Sequence, residues 1–218
     1  MVGQAQAQEH VFPTDGSLST TYTAPNIFGT GVDLSAMITY TLQPQGIDTD
    51  ANTATFDVLV QNTTLDQAGD NRLVGFAIDT IDPPLTGAEI VDDPNGPDIF
   101  TALINTRFPG GFGTVDLCTT SGSGNNCSGG AGGGLGEGES VMFDLVLSFS
   151  DLTENATITF GAPYLVRFQA IGDQDLSGVI PGGDNGGGGP VLIPEPSTLA
   201  LLGLGLLGAG LCRRRGLA

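Results

Sequence analysis

The sequence predicts an all-β protein: a single antiparallel β-sandwich domain, a Gly-rich linker and then a C-terminal transmembrane helix. Three observations carry the prediction. Between Leu18 and Ile171 helical periodicity is nearly absent, and apolar residues alternate strictly with polar ones instead. Clusters of Pro, Gly, Asn and Asp separate the alternating runs. The last apolar run, by contrast, is apolar on every face and is followed by a cluster of arginines.

In chain order, a weak strand is expected over 18–23. Leu34, Ala36, Ile38, Tyr40 and Leu42 then alternate with Ser35, Met37, Thr39 and Thr41. Ala54, Phe56, Val58 and Val60 alternate with Thr55, Asp57, Leu59 and Gln61, and Val74, Phe76 and Ile78 form a third set. A weak strand is expected over 99–104. Val141, Phe143, Leu145, Leu147 and Phe149 make the longest set, followed by a weak strand over 157–160 and by Val166, Phe168 and Ala170. Each set turns one apolar face inward and one polar face outward, as in a half-buried antiparallel strand. The turns fall at Pro44-Gln45-Gly46, Gln67-Ala68-Gly69-Asp70, Asp82-Pro83-Pro84, Asp93-Pro94-Asn95-Gly96-Pro97 and Pro109-Gly110-Gly111. Seven to nine such strands need a second sheet to bury their faces, which makes a sandwich.

The domain is expected over 11–172, after a processed N-terminal remnant at 1–10. Residues 121–138, dominated by Gly and Ser, are expected to form a mobile loop, and 173–192 an Asp/Gly-rich linker with a glycine spacer at 182–189. Met1 to Glu9 is polar, with neither a basic nor an apolar stretch. Ala5-Gln6-Ala7 has the small-x-small form of a signal cleavage site, so the secretory signal itself is expected upstream.

Charge excludes whole classes of partner. The 218 residues carry 24 acids against six arginines and no lysine, a net charge of −18. Residues 1–193 hold Arg72, Arg107 and Arg167 against 23 acids, a net charge of −20. Such a surface repels phosphate backbones and anionic lipid, so no nucleic-acid partner is expected. It suits a soluble extracellular protein or one that collects divalent cations. Cys118 and Cys127 bracket a polar glycine-rich loop and are expected to pair as a disulfide in an oxidising compartment.

From Thr198 to Cys212 runs a 15-residue apolar segment of mostly Leu, Gly and Ala. As a helix it covers roughly 22 Å, short of the ~30 Å hydrocarbon thickness, so it spans only with snorkelling arginines and local thinning. Arg213, Arg214 and Arg215 favour the cytoplasmic side and place everything before Pro194 outside. Gly203-Leu-Gly205-Leu-Leu-Gly208 fits the G-x-G-x-x-G pattern but follows no strand and opens no βαβ unit, so it does not indicate dinucleotide binding.

The order Pro194-Glu195-Pro196, short Leu/Gly/Ala helix, Arg213-Arg214-Arg215 resembles the PEP-CTERM sorting signal of Gram-negative bacteria, over 193–215. The resemblance implies that an exosortase recognises the segment, after a transient stage in the inner membrane, and acts near Pro194-Glu195-Pro196. It also implies a link to exopolysaccharide and biofilm. Leu73-Val-Gly-Phe-Ala-Ile-Asp-Thr80, Pro109-Gly-Gly-Phe112, Cys118 with Cys127, and Val166-Arg-Phe-Gln-Ala-Ile-Gly172 resemble the cistern-type cargo family, which implies no reaction.

One constellation suggests a ligand. Asp173, Asp175 and Ser177 stand at positions 1, 3 and 5 of a twelve-residue stretch, with Gly178 at 6 and Asp184 at 12, the spacing of a Ca²⁺ loop. Against it, Asp184 is shorter than the usual Glu and no amphipathic helices flank the loop. Catalysis has little support: without lysine and with His10 as the sole histidine, Ser-His-Asp, Cys-His and Lys-based mechanisms lack a partner. No other cofactor is expected. Asn62, Asn126 and Asn155 each begin an N-x-[S/T] triplet, an acceptor pattern in a glycosylating host. The expectation is an exported, non-enzymatic surface or matrix protein with a structural or adhesive role. The alternatives are a calcium-dependent or glycan-binding module and, less favoured, a polysaccharide-acting enzyme.

Overall fold

The computed structural model describes residues 9–12, 16–65, 67–92, 99–122, 126–130, 133–153, 155–172, 176–182 and 190–193. Along them run β1 (His10–Phe12), β2 (Ser17–Ala24), a single 3-10 turn (Ile27–Gly29), β3 (Leu34–Asp48), β4 (Thr53–Asn62), β5 (Gly69–Asp82) and β6 (Leu85–Asp92). They continue with β7 (Thr101–Phe108), β8 (Gly113–Thr120), β9 (Ser140–Phe149), β10 (Ile158–Ile171), β11 (Leu176–Gly182) and β12 (Val191–Ile193).

The strands form two antiparallel sheets, one in the order β12-β11-β10-β5-β8-β7 with β1 beside β10, the other β2-β3-β4-β9-β6. The alternation read from the sequence sets which face turns inward. Ala36, Ile38 and Tyr40 of β3, Phe56, Val58 and Val60 of β4, and Phe143, Leu145 and Leu147 of β9 are all buried. They meet Phe76 and Ile78 of β5 and Phe160, Val166 and Phe168 of β10 in one core. Phe160 stands at its centre, with ring centroids 5.2 Å from Phe12, 5.4 Å from Tyr40 and 5.3 Å from Phe56. Removing such a side chain from water contributes about 1.5–3 kcal/mol, which pins the register of every strand that carries one.

β5 departs from the half-buried pattern. Leu73, Val74, Gly75, Phe76, Ala77 and Ile78 are buried without a break. Ala77, opposite Leu165 and Cys118, faces away from the core into a second cluster with Phe108, Val115, Cys127 and Val179, against which Phe112 packs. The turn end of the β7–β8 hairpin bends over the outer side of its own sheet, where a Cβ added at Gly110 would lie 3.4 Å from Val179 of β11.

The glycine-rich segments differ from expectation. The described parts of 121–138 pack on the sheet: Leu135 is 2% exposed and exchanges backbone hydrogen bonds with Leu73. At Gly134 an added Cβ would run into the Leu73 carbonyl oxygen, and at Gly129 it would lie 2.8 Å from Val74, so glycine is what lets this backbone approach so closely. The linker expected over 173–192 is also incorrect in part, because Leu176–Gly182 pairs with β10 and Val191–Ile193 with β11. Gly178 lies against the Phe28 ring and Gly182 against the Tyr22 ring, which brings β11 over the inward face of β2. The sandwich thus extends past residue 172. Of the spacer expected at 182–189, Gly182 ends β11, while 183–189 and the transmembrane helix expected at 198–212 lie outside the described residues.

Candidate functional site

β12 brings the chain to Ile193, and the sheet pairing of Val191–Ile193 with Val179, Gly178 and Ser177 holds it there. Pro194, Glu195 and Pro196 follow immediately in sequence. They and Arg213, Arg214 and Arg215 lie outside the described residues, so the feature that the structure does give is their attachment: the sorting segment starts at the edge of the larger sheet. No helix among the described residues is long and apolar enough to cross a membrane.

Cys118 and Cys127 are joined as a disulfide, nine residues apart with a Cα–Cα distance of 6.2 Å. Cys118 stands on β8 directly opposite Ala77 and Leu103. Both sulfurs are fully buried in the outer cluster. The bond fastens the start of the glycine-rich segment to the sheet.

Of the four side chains expected to ligate Ca²⁺, only Ser177 is among the described residues. Ser177 is fully buried in β11, and Leu176–Gly182 runs extended between β10 and β12, where a cation-wrapping loop would have to coil. Asp173, Asp175 and Asp184 lie outside the described residues. Among the described residues no three His, Cys, Asp or Glu side chains gather as a metal-ligand cluster.

Polar groups gather at two other places. On the outer side of β5 and β8, Asp79 and Asp116 follow the Ile78–Leu117 pair. Burial first, and the facing Asp116 carboxylate second, raise the Asp79 carboxyl above its ordinary value. Asp116 Oδ2 accepts a 2.7 Å hydrogen bond from the Ile81 amide. The second place is a buried knot at the end of β4. Asn62 Nδ2 donates to the Asn71 and Leu135 carbonyl oxygens, while Asn71 Nδ2 donates to Glu137 Oε1 at 2.6 Å and Asn71 Oδ1 accepts from the Gly172 amide at 3.1 Å. Neither place was visible in the sequence, because the partners are up to a hundred residues apart.

The three acceptor triplets part company here. Asn62 is 1% exposed with its amide hydrogens engaged, whereas Asn126 and Asn155 are exposed. His10 packs on Phe12 in β1, ring centroids 4.5 Å apart. An open groove of about 490 Å³ lies where the register of β3 against β4 shifts between Leu42 and Ile47, bounded by Ser17, Thr41, Gln43, Gln45 and Ile47. Gln43 Nε2 there donates to Asp57 Oδ1 at 2.7 Å.

No curated protein and no solved structure matches the chain. Residues 192–215 match the family described as the PEP-CTERM protein-sorting motif, a stretch that begins on the second residue of β12.

Proposed function

Because the chain carries a PEP-CTERM protein-sorting motif, which marks an exported protein sorted by an exosortase, we propose that it serves at the cell surface or in the polysaccharide matrix of a Gram-negative bacterium. Its role there is structural or adhesive and not catalytic. The match over 192–215 carries this reading. The body of the chain is consistent with it: a filled two-sheet core, a buried disulfide suited to an oxidising compartment, and a surface with few cationic groups. On this reading Pro194, Glu195 and Pro196 are features of a substrate, the apolar segment is a temporary inner-membrane anchor, and Arg213–Arg215 hold its cytoplasmic end.

Comparison of the native host with a strain lacking its exosortase tests the proposal. The mature protein is expected in the surface or matrix fraction of the first. In the second it should collect in the inner membrane with Arg213–Arg215 still attached. Intact chain in the cytosol of both strains would refute export. Equal recovery in wash and matrix, with no retention by the host's own polymer, would refute the adhesive role while leaving sorting intact.

A further inference from the structure

Among the described residues the two sheets present five strands with a single neighbour, and they are protected to different degrees. β1 and β12 are only three residues long. β6 carries two register shifts against β9, together with Glu89 and Asp92. β7 is distorted by Asn105 at φ 48° and carries an exposed Arg107; it also lies against β6, so the two close one flank together. β2 has none of these devices. Its eight residues pair with β3 in unbroken register from Ser17↔Thr41 to Ala24↔Leu34, and none of them is charged or proline. Long, regular, uncharged edges are the ones that accept another strand, because a row of backbone donors and acceptors is left for pairing.

β11 does not cover this edge. It reaches β2 through Gly182, which meets the inward side chains of Thr20 and Tyr22. The outward residues Ser17, Ser19, Thr21 and Thr23 are all exposed. Among the described residues no strand pairs with β2 on the side away from β3.

We infer that the β2 edge is an interface for a second copy of this chain, paired antiparallel through a two-fold axis so that the two five-stranded sheets become continuous. Two observations select a second copy over other strands. Antiparallel pairing of β2 with itself sets Ser17, Ser19, Thr21 and Thr23 against their own kind, and such hydroxyl pairs are already built on this face: Ser19 Oγ lies 2.9 Å from Thr39 Oγ1. Charge is the other. A chain of net charge −18 meets its own copy with least repulsion along a strip that carries no charge, and β2, at eight residues against the three of β12, is the longer such strip among the sheet edges. Screening then strengthens the pairing, so association rises with salt.

The test uses the full chain in detergent with Cys212→Ser, so that an introduced cysteine is the free thiol. Ser19→Cys and Thr21→Cys are oxidised beside Met142→Cys, which lies 51% exposed on β9, away from the edge. Covalent dimers of twice the chain mass are expected at Ser19 or Thr21 well above the Met142 yield, and more of them at raised salt. Adding Thr21→Asp to the Ser19→Cys chain should lower the yield about fivefold by opposing like charges, with the melting temperature unchanged. Thr23→Asp serves the same purpose should the first variant misfold. Equal yields at all three positions, no dimer at β2, adducts with a different protein, or indifference to the added carboxylate would each overturn the inference. None of these outcomes bears on sorting.

Discussion

The side-chain amide of Asn62 donates to the backbone carbonyl oxygen of Asn71 at 2.8 Å, deep between β4 and β5. The same nitrogen serves the Leu135 carbonyl oxygen at 3.0 Å, and Asn62 Oδ1 accepts from the Thr64 amide at 3.2 Å. One residue thus satisfies backbone just after its own strand, in β5 and in the glycine-rich segment 73 residues further along the chain.

Asn62→Ala is expected to lower stability by about 2–3 kcal/mol, because the Asn71 carbonyl oxygen loses this donor without gaining water and the Leu135 carbonyl oxygen is left with the Leu73 amide alone. Denaturant titration should show the midpoint falling. In a glycosylating host, intact-mass analysis should find sugar on Asn126 or Asn155 and none on Asn62, whose nitrogen is buried and engaged.

Asp79→Asn should stabilise the fold at neutral pH by about 0.5 kcal/mol, a small value because the pair is partly solvated. The Asp79 carboxyl is raised in the folded state, so its proton contributes stability that is complete below about pH 4 and lost as pH rises through the raised value. The gain from Asn should therefore vanish in acid. Melting temperatures of the two proteins across that range check it. Asp116→Asn should not give the same benefit, since the Asp116 carboxylate accepts from Ile81.

All three tyrosines are buried: Tyr22, Tyr40 and Tyr164 are 2%, 1% and 4% exposed. Burial raises each phenol, Tyr164 to about 12 with help from the Glu9 charge and the other two further. The unfolded chain ionises near pH 10, so stability is lost as pH rises above that value. Tyrosinate absorbance should appear as a single step coincident with unfolding, uncomplicated by tryptophan, which the chain lacks. A gradual titration near pH 10 on folded protein would contradict the burial.

Reducing the Cys118–Cys127 bond should cost roughly 2–3 kcal/mol, the chain-entropy value for a short loop. Since both sulfurs are buried, thiol reductants should act on folded protein only slowly. Trapping with iodoacetamide, with and without denaturant, measures the difference.

Gly182→Ala should destabilise by about 1–3 kcal/mol, because the new methyl collides with the Tyr22 ring and pushes β11 away from β2. Ala at Gly111, where nothing lies within 4 Å, should lack that collision and cost less, although its φ of 84° still strains a side chain. Thermal unfolding of the two variants compares them.

The alternating runs of β3, β4 and β9 were legible because a period of two in side-chain polarity is a direct consequence of one buried and one wet face. The sorting segment was legible for a similar local reason, since three unlike features in fixed order need no tertiary context. What the sequence alone could not supply was the fate of its glycine-rich stretches. Leu176–Gly182 has too little side chain to display a pattern, and it became a strand because Gly178 and Gly182 admit the rings of Phe28 and Tyr22. Nor could alternation foresee that β5 is covered on both sides, or that Asn62 is buried while Asn126 and Asn155 are exposed. Local sequence determined which residues prefer to be extended and where the chain is addressed; only packing between distant segments decided which backbones approach closely enough to exclude water.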